Sequence, residues 1–180
     1  MKKFALAALM VFGEPASAQE FAREGTWTIK QVAGRCTLSQ VLQHDDDRRE
    51  IFNVYYDARE KNVLMTFSST LTTSLPSEGM TKLHLDFSSK GVLDDGWGER
   101  DFSYRLVPDT DMHMFSTLFA GSSAVSDFFQ DLAKSDFVGV RYGVRAVAGS
   151  DLRGSSSAIA SLRKCAFQAA GLDPRDPFAQ

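Results

Sequence analysis

The sequence predicts an α+β domain with a mainly antiparallel β-sheet or sandwich, two helices late in the chain and one disulfide. From Trp27 to Phe119, short segments alternate apolar and polar residues, the two-residue period of half-buried strands. After Gly121 the pattern changes twice to helical spacing, with one more alternating stretch in between. Strands that follow one another without intervening helices favour an antiparallel sheet to which the helices are added last.

The predicted strands are short and separated by polar loops. Thr81–Phe87 alternates most regularly, with Leu83, Leu85 and Phe87 predicted to face the core. A hairpin is predicted around Ala58–Lys61. The other strand segments are Trp27–Val32, Arg35–Leu42, Glu50–Asp57, Asn62–Ser68, Phe102–Leu106 and Met112–Phe119.

Two amphipathic stretches predict the helices. The first runs from Ser122 to about Ser135 and places its apolar residues on one face. The second follows Gly154 and carries Cys165 on its apolar stripe. Because a serine oxygen can accept a hydrogen bond from an unpaired backbone N–H, the serines that open each helix are expected to cap it.

Between the two helices, the segment from Val138 to Ala146 is predicted to be one long strand. Its apolar side chains, including Tyr142 and Val144, are expected on the core face, and Arg141 and Arg145 on the other. Gly139 and Gly143 share the arginine face. Two interpretations are open: a bulged or closely packed strand, or an Arg-lined surface for an acidic partner.

The N-terminus has the pattern of a Sec signal peptide. Lys2 and Lys3 precede a short apolar run, and Ala16-Ser17-Ala18 is a cleavage site that would leave Gln19 first. We expect residues 19–170 to form a single β-rich domain and residues 171–180 a flexible tail. No later stretch reaches the roughly 20 apolar residues of a transmembrane helix. The sequence therefore predicts a periplasmic or secreted protein.

The chain has two cysteines, Cys36 and Cys165. In an exported protein the simplest expectation is one disulfide between them. The alternative is two free, buried thiols. No C-x-x-C motif is present, which disfavours disulfide-exchange chemistry.

Composition and motifs point away from several functions. The formal net charge is −3, which gives no indication of a nucleic-acid partner or an anionic membrane. No phosphate-binding loop, dinucleotide motif, metalloprotease motif or G-x-S-x-G sequence occurs. We therefore predict no cofactor, no metal and no catalytic residues. A hydrolase whose Ser, His and Asp are dispersed in the sequence remains an alternative.

The loop around Trp97 is the other candidate binding element. Trp97 lies between two glycines and follows Asp94 and Asp95. An aromatic residue in such a loop can anchor a partner. It can equally fill the end of the sandwich, and the sequence leaves both interpretations open. A second acidic loop, His44–Asp47, is interpreted as solvated rather than as a cation site, because consecutive carboxylates lack the spacing of a calcium loop.

Two parts of the chain resemble known families. Asp151–Ser156 with the run Ala158–Cys165, together with Trp27 followed by Cys36, resembles small exported proteobacterial proteins of the invasion-associated locus B type. The C-terminal half is also similar to periplasmic accessory proteins linked to type VI secretion, although the interval from Arg163 to Cys165 is one residue shorter here. Neither family has catalytic residues to transfer. The resemblance implies a noncatalytic, β-rich envelope protein with a disulfide.

The sequence thus predicts a noncatalytic binding or accessory protein that acts through protein–protein contacts. Its partner would be another envelope or secreted protein. The candidate binding residues are Trp97, Asp94, Asp95, Arg141 and Arg145. The alternative is an inhibitor or immunity protein that presents an acidic loop to a cell-envelope hydrolase or effector.

Overall fold

A computed structural model describes residues 19–24, 26–32, 35–43, 49–70, 75–89, 92–94 and 97–173. The predicted signal peptide, the loop His44–Asp47, Asp95 and most of the predicted tail lie outside these ranges. None of the helices in the described ranges is long and apolar enough to cross a membrane.

The described residues form eleven strands and two helices, and the strands at Gln19–Glu24 and Val92–Asp94 were not predicted. The strands are β1 (Gln19–Glu24), β2 (Trp27–Val32), β3 (Arg35–Gln43), β4 (Arg49–Asp57), β5 (Asn62–Ser69), β6 (Glu78–Ser89), β7 (Val92–Asp94), β8 (Glu99–Leu106), β9 (His113–Ala120), β10 (Phe137–Tyr142) and β11 (Arg145–Asp151). The helices are α1 (Ser122–Lys134) and α2 (Ser155–Ala169). The prediction of an α+β fold with two late helices is confirmed.

All strands belong to one antiparallel sheet with the order β1-β2-β3-β4-β5-β9-β8-β6-β10-β11, and β7 pairs with β6. The sheet curves until its last strand, β11, lies against β4 and β5. Side chains close this approach: Ser150 Oγ donates a hydrogen bond to Gln40 Oε1, and the Gly149 N–H donates to Glu50 Oε2 at 3.3 Å. A single curved sheet therefore encloses the core. In a sandwich, the core would lie between two separate sheets.

The core lies between the inner face of the sheet and the two helices. Alternate residues of each strand point inward, as in β6, where Leu83, Leu85 and Phe87 are buried as predicted. Helix α2 packs on β1 to β4, and α1 packs on β5, β6 and β9. Phe128 of α1 meets Phe119 with ring centroids 4.5 Å apart. The helices thus cover the inner face along most of its width.

The helix termini differ from the prediction. The N-cap residues are Gly121 and Gly154, and neither helix has a side-chain cap. Ser155 and Ser156 instead donate their hydroxyls to the carbonyls of Leu132 (2.8 Å) and Ala133 (3.0 Å). The expected capping was wrong for these serines because carbonyls in the last turn of α1, which lack helical partners, lie within reach. The serines join α2 to α1 rather than closing α2.

The predicted disulfide is present. Cys36 on β3 and Cys165 on α2 are bonded, with Cα atoms 6.0 Å apart, and both are fully buried. The bond connects residues separated by 129 positions. It fixes the last helix to a strand near the start of the sheet.

The segment from Val138 to Ala146 is a hairpin and not the single strand that its alternation predicts. Strands β10 and β11 pair antiparallel, with Tyr142 opposite Arg145. The register shifts between Val140 and Arg141, where β11 has one extra residue. Tyr142 and Val144, predicted to face the core, are 66% and 101% exposed. The reason is that the chain reverses at Gly143 and the apolar alternation continues through the turn.

Candidate functional site: the β10–β11 hairpin

Glycine determines where the hairpin turns. Gly143 and Val144 form the two-residue loop between the strands, and Gly143 has φ 58°. Val144 has no positive φ. A positive φ at the first loop residue alone is the pattern of a type II′ turn, which favours glycine at that position and matches the twist of the flanking strands.

Arg141 fixes the base of this turn. Its Nε donates to Asp86 Oδ2 at 2.5 Å and its Nη2 to Asp86 Oδ1 at 3.4 Å. Its Nη1 donates to the carbonyl of Gly143 at 3.0 Å. One guanidinium therefore ties the loop to β6, and the Asp86 side chain is only 5% exposed. Arg141 holds the hairpin in place and is already engaged by an acidic residue of its own chain.

Phe137 stabilises the same outer face of the hairpin. Its ring lies over Gly139 and Gly149, which are paired across the two strands. A Cβ at Gly149 would approach Phe137 Cζ to 2.2 Å, and one at Gly139 would approach Phe137 Cε1 to 2.9 Å. A larger residue at Gly149 would therefore displace the Phe137 ring from this face.

The tip beyond Arg141 is exposed on both sides. Val144 is fully exposed, and Tyr142 is largely so. Arg145 is exposed, and no carboxylate of the described chain forms an ion pair with it. The tip presents one aromatic, one aliphatic and one cationic side chain on a rigid support. This arrangement has the chemistry of a contact element and contains no nucleophile or general base.

The other predicted binding residue, Trp97, is directed into the protein. Its indole contacts Phe119 edge to face with ring centroids 5.0 Å apart. Its Nε1 donates to Asp131 Oδ2 on α1 at 2.7 Å. The guanidinium of Arg100 lies 5.4 Å from the Trp97 ring and 4.4 Å from the Phe119 ring. Of the two interpretations left open by the sequence, these contacts favour the core-filling one.

Arg100 is partly buried at this aromatic cluster. Desolvation lowers the pKa of the Arg100 guanidinium, and its Nε is buried without a hydrogen-bond partner. The two aromatic faces take the place of water around part of this cation. Arg100 therefore covers the aromatic cluster.

Of the two acidic candidates beside Trp97, Asp94 lies within the described residues. Asp94 pairs through its backbone with Phe87 at the β6–β7 ladder. The structure does not describe Asp95. The sequence had grouped these residues with Trp97, and only the backbone of Asp94 and the indole of Trp97 can be placed.

The described histidines and carboxylates do not assemble into a metal site. Within the described ranges, no group of three or more His, Cys, Asp or Glu residues could hold an ion. His113 is 3% exposed, and its Nε2 lies 3.1 Å from the carbonyl oxygen of Pro76. This histidine links β9 to the segment before β6.

The sequence predicted Arg141 and Arg145 as candidate binding residues, but it placed Tyr142 and Val144 in the core instead of at the tip. The one available indication was Gly143, which lies between two residues of the same strand-like pattern. If Gly143 is interpreted as a turn residue, both apolar side chains are predicted at the tip of a hairpin and not in the core.

Comparisons of the chain with models of protein families, with curated proteins and with solved structures find no match.

Proposed function

We propose that this protein is a noncatalytic binding or accessory protein of the cell envelope, and that it contacts a partner protein through the tip of the β10–β11 hairpin. The observation that carries this proposal is the exposure of Tyr142 and Val144 on a turn whose base is fixed by Arg141. Exposed apolar side chains that lie together on a fixed turn can mark a site of protein–protein contact.

The chemistry of the tip indicates the kind of surface it would meet. Tyrosine and arginine are enriched among the residues that dominate binding energy in interfaces. Because Arg141 already constrains the turn, little conformational entropy would be lost on binding. We infer that the partner offers an apolar pocket for Val144 and Tyr142, with a carboxylate at its edge for Arg145.

Export is part of this proposal. The pattern of residues 1–18 is that of a Sec signal peptide, and the Cys36–Cys165 disulfide is compatible with an oxidising compartment. The resemblance to exported envelope proteins agrees with both.

The alternative of an inhibitor or immunity protein depended on the acidic loops His44–Asp47 and Asp94–Asp95. The side chains of these residues are not described, and no other observation favours that function. It stays a prediction of the sequence.

Site-specific photocrosslinking in cells tests the proposal. A photoreactive amino acid at Val144 of the full chain, expressed in its native host with its own leader, should capture one protein in a stoichiometric adduct. The same amino acid at Ala160, an exposed position on α2, serves as the matched control and should not give that adduct.

The adduct must also depend on the tip. With the crosslinker at Val144, Tyr142→Ser and Arg145→Glu should each reduce its yield about tenfold or more, the range expected for interface anchors. Equal adducts from positions 144 and 160, or an adduct indifferent to both substitutions, would reject the hairpin as the contact element.

A further inference from the structure

A groove lies between the two helices, away from the residues of the hairpin. It has a volume of about 390 Å³, which is within the range of small-molecule sites, roughly 300–1,000 Å³. Val125 and Phe129 of α1 and Ile159 of α2 form its apolar floor. These residues are buried, so the floor belongs to the ordered core and is a preformed surface.

The charged part of the lining is cationic. Lys61, in the turn between β4 and β5, and Arg163 of α2 both line the groove, and no carboxylate does. Arg163 is half-buried, and no ion pair joins it to a carboxylate of the described chain. Two cations beside an apolar floor are an unusual feature in a chain whose formal net charge is −3.

Tyr56 also lines the groove, and its pKa is affected by the charge of Arg163. Burial raises the pKa of the Tyr56 phenol, and the positive charge of Arg163 acts in the opposite direction. The ring packs edge to face on Phe129, with centroids 5.1 Å apart. The guanidinium therefore lies beside a buried aromatic wall, where water screens its charge less than at an open surface.

We propose that this groove binds an amphiphilic carboxylate, with the apolar part of the ligand on Val125, Phe129 and Ile159 and its carboxylate between Lys61 and Arg163. A guanidinium can hold a carboxylate through two parallel hydrogen bonds, and a lysine can supply a third. The carboxylate can belong to a free short-chain acid or to the C-terminal residue of a peptide, because both present the same chemistry.

The first measurement compares ligands that differ only in the head group. Backbone amide NMR spectra of the oxidised protein would be recorded during titration with hexanoate and with hexanol. We expect hexanoate to shift the resonances of α1 and α2 residues around the groove, with a dissociation constant on the order of 1 mM. Hexanol should bind at least about tenfold more weakly, since it lacks the charge.

A second titration identifies the source of the carboxylate. Acetyl-Ala-Leu with a free carboxylate is compared with its C-terminal amide. Tighter binding than hexanoate would assign the groove to peptide termini, and weaker binding to free acids; either result requires that the amide bind more weakly than the acid.

Two pairs of variants test the residues. Arg163→Gln should weaken hexanoate binding about tenfold, whereas Lys164→Gln, the adjacent exposed cation on the same helix, should leave it within about twofold. Ser126→Phe, which fills the groove, should abolish binding, and Ser123→Phe on the same helix should not. Thermal unfolding of each variant shows whether it is folded.

Equal affinity for hexanoate and hexanol would overturn the proposal, as would equal effects of Arg163→Gln and Lys164→Gln in folded protein. These results are independent of the hairpin, because Val144 crosslinking involves none of the groove residues. Failure of one proposal therefore leaves the other testable.

Discussion

Trp97 and Asp131 join a loop before β8 to the helix α1 through a hydrogen bond of 2.7 Å between the indole N–H and a carboxylate oxygen. The donor is partly buried against Phe119 and Phe128. This contact makes Trp97 a structural connection between the sheet and its covering helix.

Replacing Trp97 should therefore change stability and not partner capture. Trp97→Ala removes a ring from the aromatic cluster and should lower the free energy of unfolding by about 2–4 kcal/mol. Trp97→Phe keeps most of the packing and loses the hydrogen bond, at about 1 kcal/mol. Urea unfolding followed by circular dichroism measures both. A folded Trp97→Phe protein that no longer forms the Val144 adduct would contradict this assignment.

Breaking the ion pair between Arg141 and Asp86 should lower the stability of the fold mainly because one charge is then left unpaired. Arg141→Met leaves a buried carboxylate without its cation and should cost about 1–3 kcal/mol, reduced from the value for fully buried pairs because Arg141 is 30% exposed. Arg145→Met, at the exposed tip, should stay within about 0.5 kcal/mol.

The double variant Arg141→Met with Asp86→Leu distinguishes the charge from the packing. Since it removes both members, it should recover part of the stability lost in Arg141→Met. A double variant whose loss of stability equals the sum of the two single losses would show that the pair itself contributes little.

Removal of the disulfide should lower the free energy of unfolding more than any of these other substitutions. In the chain-entropy model, a bond across 129 residues stabilises the fold by about 5 kcal/mol. Cys36→Ala with Cys165→Ala should accordingly unfold at a much lower urea concentration. The control is added reductant, which should shift the transition of the natural chain and leave that of the variant unchanged. Coincident transitions for the two proteins without reductant would contradict the prediction.

The pair Asp151 and Arg153 should give a small dependence of stability on pH. A hydrogen bond from the Arg153 side chain lowers the pKa of the Asp151 carboxyl below 3.8. A group with a lower pKa in the folded state stabilises it above the unfolded pKa, and this contribution disappears as the pH falls through the folded pKa. Arg153→Gln should therefore reduce the free energy of unfolding more at pH 7 than at a pH below the folded pKa of Asp151.

The size of that effect is limited by exposure, since the Arg153 side chain is 83% exposed and that of Asp151 34%. We expect a small effect, because solvent screens an exposed ion pair. Lys164→Gln makes the same charge change without a carboxylate partner in the described chain and serves as the control. Equal pH profiles for the two variants would assign the effect to net charge.

Local patterning was sufficient to predict most of the secondary structure. Leu83, Leu85 and Phe87 alternate because one side of β6 is buried, and Phe128 and Phe129 lie on the buried face of α1 for the corresponding helical reason. The cysteines were paired correctly because a chain with only two cysteines offers one intramolecular pairing.

Contacts between distant residues could not be predicted in this way. The indole of Trp97 finds its acceptor 34 residues later, and no local pattern specifies that meeting. The hairpin was missed because Tyr142 and Val144 continue the apolar alternation across a turn, so periodicity alone could not show the reversal. The groove depends on Lys61 and Arg163, which only the packing of α2 on the sheet brings together.

The contact of β11 with β4 affects how readily the sheet edges can pair with other molecules in concentrated solution. An unpaired strand edge is a template on which another chain can add a strand, and proteins commonly protect such edges. Here the edge of β11 is met at Gly149 by the carboxylate of Glu50 from within the same molecule. At the opposite end of the sheet, β1 carries the charged pair Glu20 and Arg23, joined at 3.0 Å. One end of the sheet is thus covered at Gly149 and the other is charged, an arrangement that opposes edge-to-edge aggregation.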